Sequence, residues 1–462
     1  MTLPMEGMRP DAIIPELILL GGSIAALVVG LFTARHRQWI IALGTALVLA
    51  AALVAAALAL PDPAGMVFYG TYTVDLSARF AHVAICWATL LVVGLSFRTV
   101  RGHARETEYY VLLLFATLGL VLFAGASDLM LLVVAYLLSS VPLYTLAAFR
   151  KDEKGTEAAM KYYLMGALLG IAMLYGLAFL YGAGGATAYR ELAAGLGAGL
   201  SAAVAVGIGL TMAGLLFKLG AVPGHFWVPD VAEGAPIPVA AYETTVPKLA
   251  AVVAVARLLL EVPDGLVDWR LPVALLAAVT MTLGNLGALW QESARRLLGY
   301  SAISQVGYML MAVVVLEQVG TAWSALLFYL LAYATMNVGA FAVVAALPGT
   351  RALEDYGGLF SLRPALALSL TVCLLSLVGI PPLAGFVGKL GIFAVAWDGG
   401  YAWLTLLAAL NTAVSMFYYA RWLVPMYFQQ PEPSLRVVGS AVGVAYLAAV
   451  ATVVLGLLGA VV

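Results

Sequence analysis

Charge is what this chain has least of: Asp, Glu, Lys and Arg make up 10% of its 462 residues, against about 25% in a soluble globular protein. With 64% hydrophobic residues and a mean hydropathy of +1.02, the chain reads as an integral membrane protein. Cysteine is almost missing. Cys86 and Cys373 both fall inside apolar windows, which excludes a disulfide framework and a cysteine-held iron–sulfur cluster. Four histidines, His36, His82, His103 and His225, offer no metal-ligand spacing. No Gly-rich phosphate loop stands between a strand and a helix. No metal, nucleotide or redox cofactor is therefore expected in this chain, and a net charge of −1 gives no basis for a nucleic-acid partner.

What is present is a succession of apolar windows of about 20 residues, the length that crosses a hydrocarbon core as a helix. They lie near 13–33, 39–60, 78–97, 108–125, 128–149, 161–182, 199–219, 236–260, 270–290, 298–316, 321–346, 365–395, 400–428 and 436–461. The expected fold class is an all-α integral membrane protein with about fourteen transmembrane helices. The first window follows "MTLPMEGMRP", which lacks a basic n-region and a small-residue cleavage site, so it is expected to be a retained span. The polar stretches 97–108 and 149–161 are too short for a soluble domain.

Basic residues cluster after odd-numbered windows: Arg35 and Arg37; Arg98, Arg101 and Arg105; Arg150, Lys151 and Lys154; Arg295 and Arg296; Arg351 and Arg363; Arg421 and Arg436. Loops after even-numbered windows are poorer and carry Asp62, Asp75, Asp128, Glu317 and Asp398. The positive-inside rule then puts the odd-numbered loops in the cytoplasm and both termini on the opposite side of the membrane. The turn after the seventh window, "HFWVPDVAEG", has no Lys or Arg, and Arg257 and Arg270 blur the pattern after the eighth.

Two windows look broken. "GIPPLAG" in the twelfth and "KLGAVPGHFWVP" after the seventh place prolines among glycines, removing backbone donors and clashing with the preceding turn. Lipid does not tolerate exposed irregular backbone, so such breaks face protein or a wet cavity, and broken helices commonly build ion sites. Lys218 precedes the first break, Lys389 follows the second, and Lys248 lies in "AAYETTVPKLAAVVAVARLLL". A lysine at mid-span costs roughly 2.5–3.5 kcal/mol to insert. An amine held from water also parts with its proton more readily, so a row of such groups makes a proton path. Glu243 lies five residues before Lys248, about 140° round an ideal helix, so the pair shares a face only if Pro247 distorts the turn. His225 is read as a stitch across the broken backbone or a proton connector, and Asp230 as the cap of a half-helix. A faint internal echo matches 158–167 with 325–334, Tyr162 with Tyr329.

Several long motifs resemble a known family, in order along the chain: "EYYVLLLFATLGLVLFAGASDLM" (108–130), "TEAAMKYYLMGALLGIAMLYGLAFLYGAGG" (156–185), "FKLGAVPGHFWVPDVAEGAPIPVAAYETTVPKLA" (217–250), "GNLGALWQESARRLLGYSAISQVGYML" (284–310), "FYLLAYATMNVGAF" (328–341) and "EDYGGLFSLRPALALSLTVCLLSLVGIPPLAGFVGKLGIF" (354–393). They are similar to the antiporter-like membrane subunits of proton-translocating NADH:quinone oxidoreductase, respiratory complex I. The resemblance implies N-terminal helices over 1–107, inverted five-helix repeats over 108–260 and 261–428, each with a broken helix, and a C-terminal helix over 429–462. It implies proton transfer by Lys218, Lys248 and Lys389, with NADH, FMN, iron–sulfur clusters and quinone in partner subunits. The neighbours it implies are the antiporter-like subunit M and the small subunit K. A multisubunit cation/proton antiporter, or a membrane-bound hydrogenase-type complex, shares the same ancestry.

The chain departs from the family pattern twice. The family pairs the lysine before the first break with a glutamate in a pattern like "L-E-L-L-S-L-P-L-Y"; here the corresponding stretch is "AYLLSSVPLY", and Leu137 takes the glutamate's place. Either another acid substitutes, with Glu243 the candidate, or the chain is a structural relic in an assembly whose other channels pump. Gln305 stands where the family often has histidine.

Overall fold

The computed structural model describes residues 9–62, 65–197, 201–430 and 437–459. Arg436 and all but the last two residues of "MTLPMEGMRP" lie outside the described residues. In lipid a backbone must satisfy its own polar groups, and the apolar windows accordingly form helices. These are α1 (Ile14–Phe32), α2 (Trp39–Leu58), α3 (Leu76–Val100), α4 (Glu106–Gly125), α5 (Leu129–Ala147), α6 (Glu153–Gly184), α7 (Tyr189–Gly195), α8 (Ser201–Leu219), α9 (Trp227–Gly234), α10 (Ile237–Leu260), α11 (Arg270–Leu289), α12 (Ala294–Val314), α13 (Ala322–Ala346), α14 (Leu359–Leu362), α15 (Pro364–Val378), α16 (Ala384–Asp398), α17 (Ala402–Phe428) and α18 (Gly439–Gly459).

Twelve of the described helices are long and apolar enough to cross a membrane. The sequence pattern suggests two further crossings: α10, which carries Glu243, Lys248 and Arg257, and the pair α15–α16, split at the expected Pro–Pro break. The seventh window is likewise split, into α8 and the short α9. Loop acids start several helices. Asp75, Asp128 and Asp152 accept hydrogen bonds from the first free backbone amides of α3, α5 and α6.

Three features depart from the sequence pattern. Most of the polar stretch 149–161 is helical, because α6 begins at Glu153 and its first turns bind α9 through Lys154–Glu233 and Lys161–Asp230 ion pairs. A two-stranded antiparallel hairpin, Gly65–Val67 with Tyr72–Val74, joins α2 to α3. The short α7 follows α6.

Burial divides the bundle. α10, α12 and α13 are enclosed on nearly every side, whereas α1, α6 and α17 present large apolar side chains outward, among them Leu31, Leu168 and Phe417. Small residues bring backbones close, as expected where lipid gives no hydrophobic drive between helices. A β-carbon at Gly119 of α4 would lie 2.5 Å from the amide nitrogen of Ser139 on α5; one at Gly284 of α11 would lie 2.5 Å from that of Ser304 on α12. The same contact thus recurs at corresponding places in the two expected repeats. Gly119→Ala and Gly284→Ala should each destabilise the chain by about 1–3 kcal/mol through overpacking. Gly182→Ala, where the space is open, should have no effect. Thermal midpoint and membrane assembly level measure all three.

Candidate functional site

A helix that stops inside the bundle leaves its last carbonyls without partners, and its C-terminal end attracts cations. α8 stops at Leu219, and Lys248 of α10 donates its Nζ to the Leu219 carbonyl at 2.9 Å. α15 stops at Val378, and Lys389 of α16 donates to the Leu377 and Val378 carbonyls at 2.9 and 3.0 Å. Each amine also lies over an aromatic ring, 5.5 Å from the Trp227 centroid and 4.3 Å from that of Tyr308. The glycines that end these helices, Gly220 and Gly379, sit at φ of 69° and 98°, which β-carbon-bearing residues rarely adopt. Break and lysine therefore form one device in each half of the chain.

Lys218, in the last turn of α8, is fully buried; its Nζ donates to Ser140 Oγ at 2.8 Å and lies 5.4 Å from the Tyr136 ring centroid. Tyr136 and Ser140 are one turn apart on α5 and both face inward. Leu137, counted from the proline as the glutamate's counterpart, is 49% exposed and points outward, so it is not the α5 residue opposite Lys218. The reason is helical phase. "LLSSVPLY" has one residue more between its LLS and its proline than the family's "LLSLPLY", and counting from LLS instead of from the proline reaches Tyr136.

The carboxylate of this site comes from α10. Glu243 is fully buried and interacts electrostatically first with Lys218 and then with Lys248. The Tyr162 hydroxyl faces the carboxyl without closing a direct hydrogen bond to it. The 140° between Glu243 and Lys248 does not separate them functionally, because residues 238–256 of α10 are all buried and both sides of the helix meet protein. Sharing a face is unnecessary.

From α10 the polar contacts run to the second break. Tyr333 of α13 donates to the Thr244 carbonyl at 2.7 Å, and Asn337 Nδ2 donates to Thr245 Oγ1 at 2.7 Å. One turn away on α13, Tyr329 donates to Gln305 Oε1, and Gln305 Nε2 donates to the Leu377 carbonyl at 3.1 Å, the same carbonyl that Lys389 holds. Gln305 thus occupies the centre of the second half-site. Tyr162 stacks on Trp227 of α9 with 4.2 Å between ring centroids, and Tyr329 packs on Gly388 of α16. The two tyrosines matched by the sequence echo therefore do equivalent work at the two broken helices. Ser140, Tyr333 and Asn337 had no sequence signal of their own.

His225 and Asp230 lie apart from the lysines. His225 is half-buried beside the break, against Phe226, in an outer cavity with Leu283, Leu286, Trp290 and Tyr300. Among the described residues it makes no hydrogen bond with any of the three lysines. Asp230 does not cap α9. It accepts from Lys161 at 2.9 Å and from Arg296 at 2.8 Å, in a solvent-reaching cluster at the end of the bundle with Lys154 and Glu233. Burial alone would raise its carboxyl, but the hydrogen bonds and charges of Arg296 and Lys161 outweigh this and hold it below the ordinary carboxylate range.

Residues 126–415 match the family model described as "NADH:quinone oxidoreductase/Mrp antiporter, TM". The chain is 51% identical to "NADH-quinone oxidoreductase subunit N 1" of Streptomyces griseus, over 93% of its own length and 91% of the relative's. It is 44% identical to "NADH-quinone oxidoreductase subunit N" of Mycobacterium sp. strain JLS, over 98% of both chains. Its fold matches a chain of respiratory complex I from Thermus thermophilus with a TM-score of 0.84, at 36% identity and with 97% and 98% of the two chains covered. A chain of the Mrp complex from Dietzia sp. matches with a TM-score of 0.89 at 22% identity, covering 98% and 96%, which is a likeness of fold alone.

Because the pKa of Asp230 is lower in the folded chain than in the unfolded one, its ion pairs stabilise fully above the unfolded value of about 4 and are lost as pH falls through the folded one. Asp230→Asn should cost about 0.5–1 kcal/mol at neutral pH, solvent screening included. Thermal unfolding followed from pH 7 down into acid should show the difference from wild type shrinking below about pH 4.

Proposed function

The chain belongs to the NADH:quinone oxidoreductase/Mrp antiporter transmembrane family, alongside the NADH-quinone oxidoreductase subunit N proteins, and from that membership we propose that it carries protons across a bacterial inner membrane. The driving reaction is electron transfer from NADH to quinone in partner subunits, which hold the FMN and the iron–sulfur clusters. Its neighbours in the membrane are the antiporter-like subunit M and the small subunit K, and both termini face the periplasm. The segments 108–260 and 261–428 act as two half-channels in series.

One observation carries this reading: Glu243 is fully buried, with both carboxyl oxygens free of hydrogen bonds to any described group, on the same enclosed helix as Lys248 and within the electrostatic reach of Lys218. An ionised Glu243 attracts a proton onto either amine. Once the carboxyl itself is protonated that attraction ends, and the amine's proton is free to move on. Tyr333 and Tyr329, one turn apart on α13, carry polar contacts from α10 to Gln305 beside Lys389, so that a proton taken up in the Lys389 half can reach Glu243. Glu243 thus takes over, from α10, the task that the family gives to a glutamate on the helix corresponding to α5. His225, turned to the outer cavity, is left out of this relay. The cation-antiporter reading shares the family model and the fold, and the relatives at 51% and 44% identity, both named subunit N, favour the first reading over it.

The test is proton translocation per NADH oxidised in vesicles carrying the intact complex at matched assembly. Lys218→Met and Glu243→Gln should each lower the ratio, with flux through this chain falling at least about 10²-fold, the scale of a lost proton-transfer group. An unchanged ratio in Glu243→Gln would remove Glu243 from the path; an unchanged ratio in both would make the chain a scaffold.

A further inference from the structure

A second set of buried titratable groups lies outside the lysine site. Glu16 near the start of α1, Tyr72 of the hairpin and His82 of α3 are 4%, 2% and 1% exposed. Tyr72 donates to Glu16 Oε1 at 2.5 Å; the same oxygen lies 3.5 Å from His82 Nδ1, and the Tyr72 hydroxyl lies 3.4 Å from His82 Nε2. The other carboxyl oxygen, Oε2, is buried and makes no hydrogen bond with any described group. Neutral hydrogen bonds would suffice to tie α1 to the hairpin. A carboxyl and an imidazole, each able to hold a proton, are an expensive way to do so.

These groups are not isolated from the lysines. His82, Cys86 and Thr89 stand at i, i+4 and i+7 on α3 and so share one face, running about 10 Å inward at 1.5 Å per residue. All three are buried. Thr89 Oγ1 lies 3.5 Å from Thr117 Oγ1 on α4, and Thr117 Oγ1 lies 2.9 Å from the hydroxyl of Tyr242, the residue before Glu243. Tyr242 in turn interacts electrostatically with Glu243. At the opposite end, Arg257 bridges Asp75 at 2.5 Å and Ser77 at 2.9 Å beside a surface cavity of about 450 Å³ that also reaches Glu261. α1 and α3 start at this end of the bundle, and α4 and α10 finish there.

We infer that Glu16 and His82 form a proton-release site, fed from Glu243 through a polar thread of Tyr242, Thr117 and Thr89 between α10, α4 and α3. This rests on the proton-transfer reading above and gives it an exit. Thr89 and Thr117 rest with their hydroxyls donated to the Ile85 and Leu113 carbonyls at 2.8 and 2.7 Å, so each turns its hydroxyl to the next oxygen to pass its proton on while it accepts another; the steps from Glu243 to Tyr242 and from Thr89 to His82 would each require a water. The His82 imidazole receives the proton and hands it to Glu16, and no electron moves. The N-terminal helices α1–α3 then do more than brace the repeats: they carry the last stage to the face where the chain begins.

The experiment measures protons moved per NADH in vesicles of the intact complex for Lys218→Met, Glu16→Gln, Glu16→Asp, His82→Gln and Thr117→Val, at matched assembly. Lys218→Met lowering the ratio upholds the first reading. Glu16→Gln, His82→Gln and Thr117→Val should then lower it to the same level, with Glu16→Asp restoring at least half of the loss. Wild-type ratios in these three beside a lowered Lys218→Met overturn the release site and leave the first reading intact; an unchanged Lys218→Met overturns both. Thr117→Val keeps the side-chain shape and stands clear of the triad, so it decides the matter if the Glu16 variants fail to assemble. Redox-triggered infrared difference spectra add a readout that a structural tie would not move. A protonated-carboxyl band in wild type should vanish in Glu16→Gln, and its persistence there counts against the site.

Discussion

A carbonyl oxygen left unpaired inside a membrane has no water to turn to, and this chain breaks a helix inside its bundle twice. The answer is the same both times. Lys248 takes the carbonyl at the end of α8, and Lys389 takes two at the end of α15. The break gives the amine a partially negative place to rest, and the amine gives the break a donor. Neither is stable alone in apolar surroundings: a mid-span lysine costs several kcal/mol without partners, and so does a bare backbone end. The positions of the lysines, the glycines at positive φ and the aromatic rings beneath the amines all follow from this pairing.

Enclosure sets the rest. α10 carries an acid and a lysine on different sides of one helix, which would be costly for a helix touching lipid. Because α10 is buried throughout its middle, Glu243 feels the charges of Lys218 and Lys248 without direct pairing while Lys248 reaches α8. α13, enclosed in the same way, supplies Tyr333 to α10 and Tyr329 to Gln305, and so ties the two broken helices together through a rigid element. The apolar outer helices have the complementary role, keeping these polar contacts away from lipid.

The proposed relay gives up one helical position of the family pattern. The α5 side opposite Lys218 offers a hydroxyl and an aromatic face, Ser140 and Tyr136, and no carboxylate. In the proposed relay Glu243 supplies the acid instead. Electrostatic attraction depends on distance and surroundings, not on which helix holds the group, so an acid on α10 can serve an amine on α8.

By itself the sequence determined the membrane class, the number of apolar windows, the two breaks and the three lysines, because hydropathy, proline and charge are local properties that a bilayer reads strongly. It also singled out Glu243 and, through a faint echo, paired Tyr162 with Tyr329. Tertiary structure decided what each group faces. Leu137 looked like the glutamate's replacement because a proline-anchored count is one residue out of phase, and on a helix one residue is about 100°. His225 and Asp230 lay beside the break in sequence, yet the turn carries the first to an outer cavity and folds the second against Lys161 and Arg296. Glu16, Tyr72 and His82 come from three separate elements, and Gln305 gained its place only through α13 and the end of α15. No spacing along the chain encodes such meetings, since they depend on how whole helices pack.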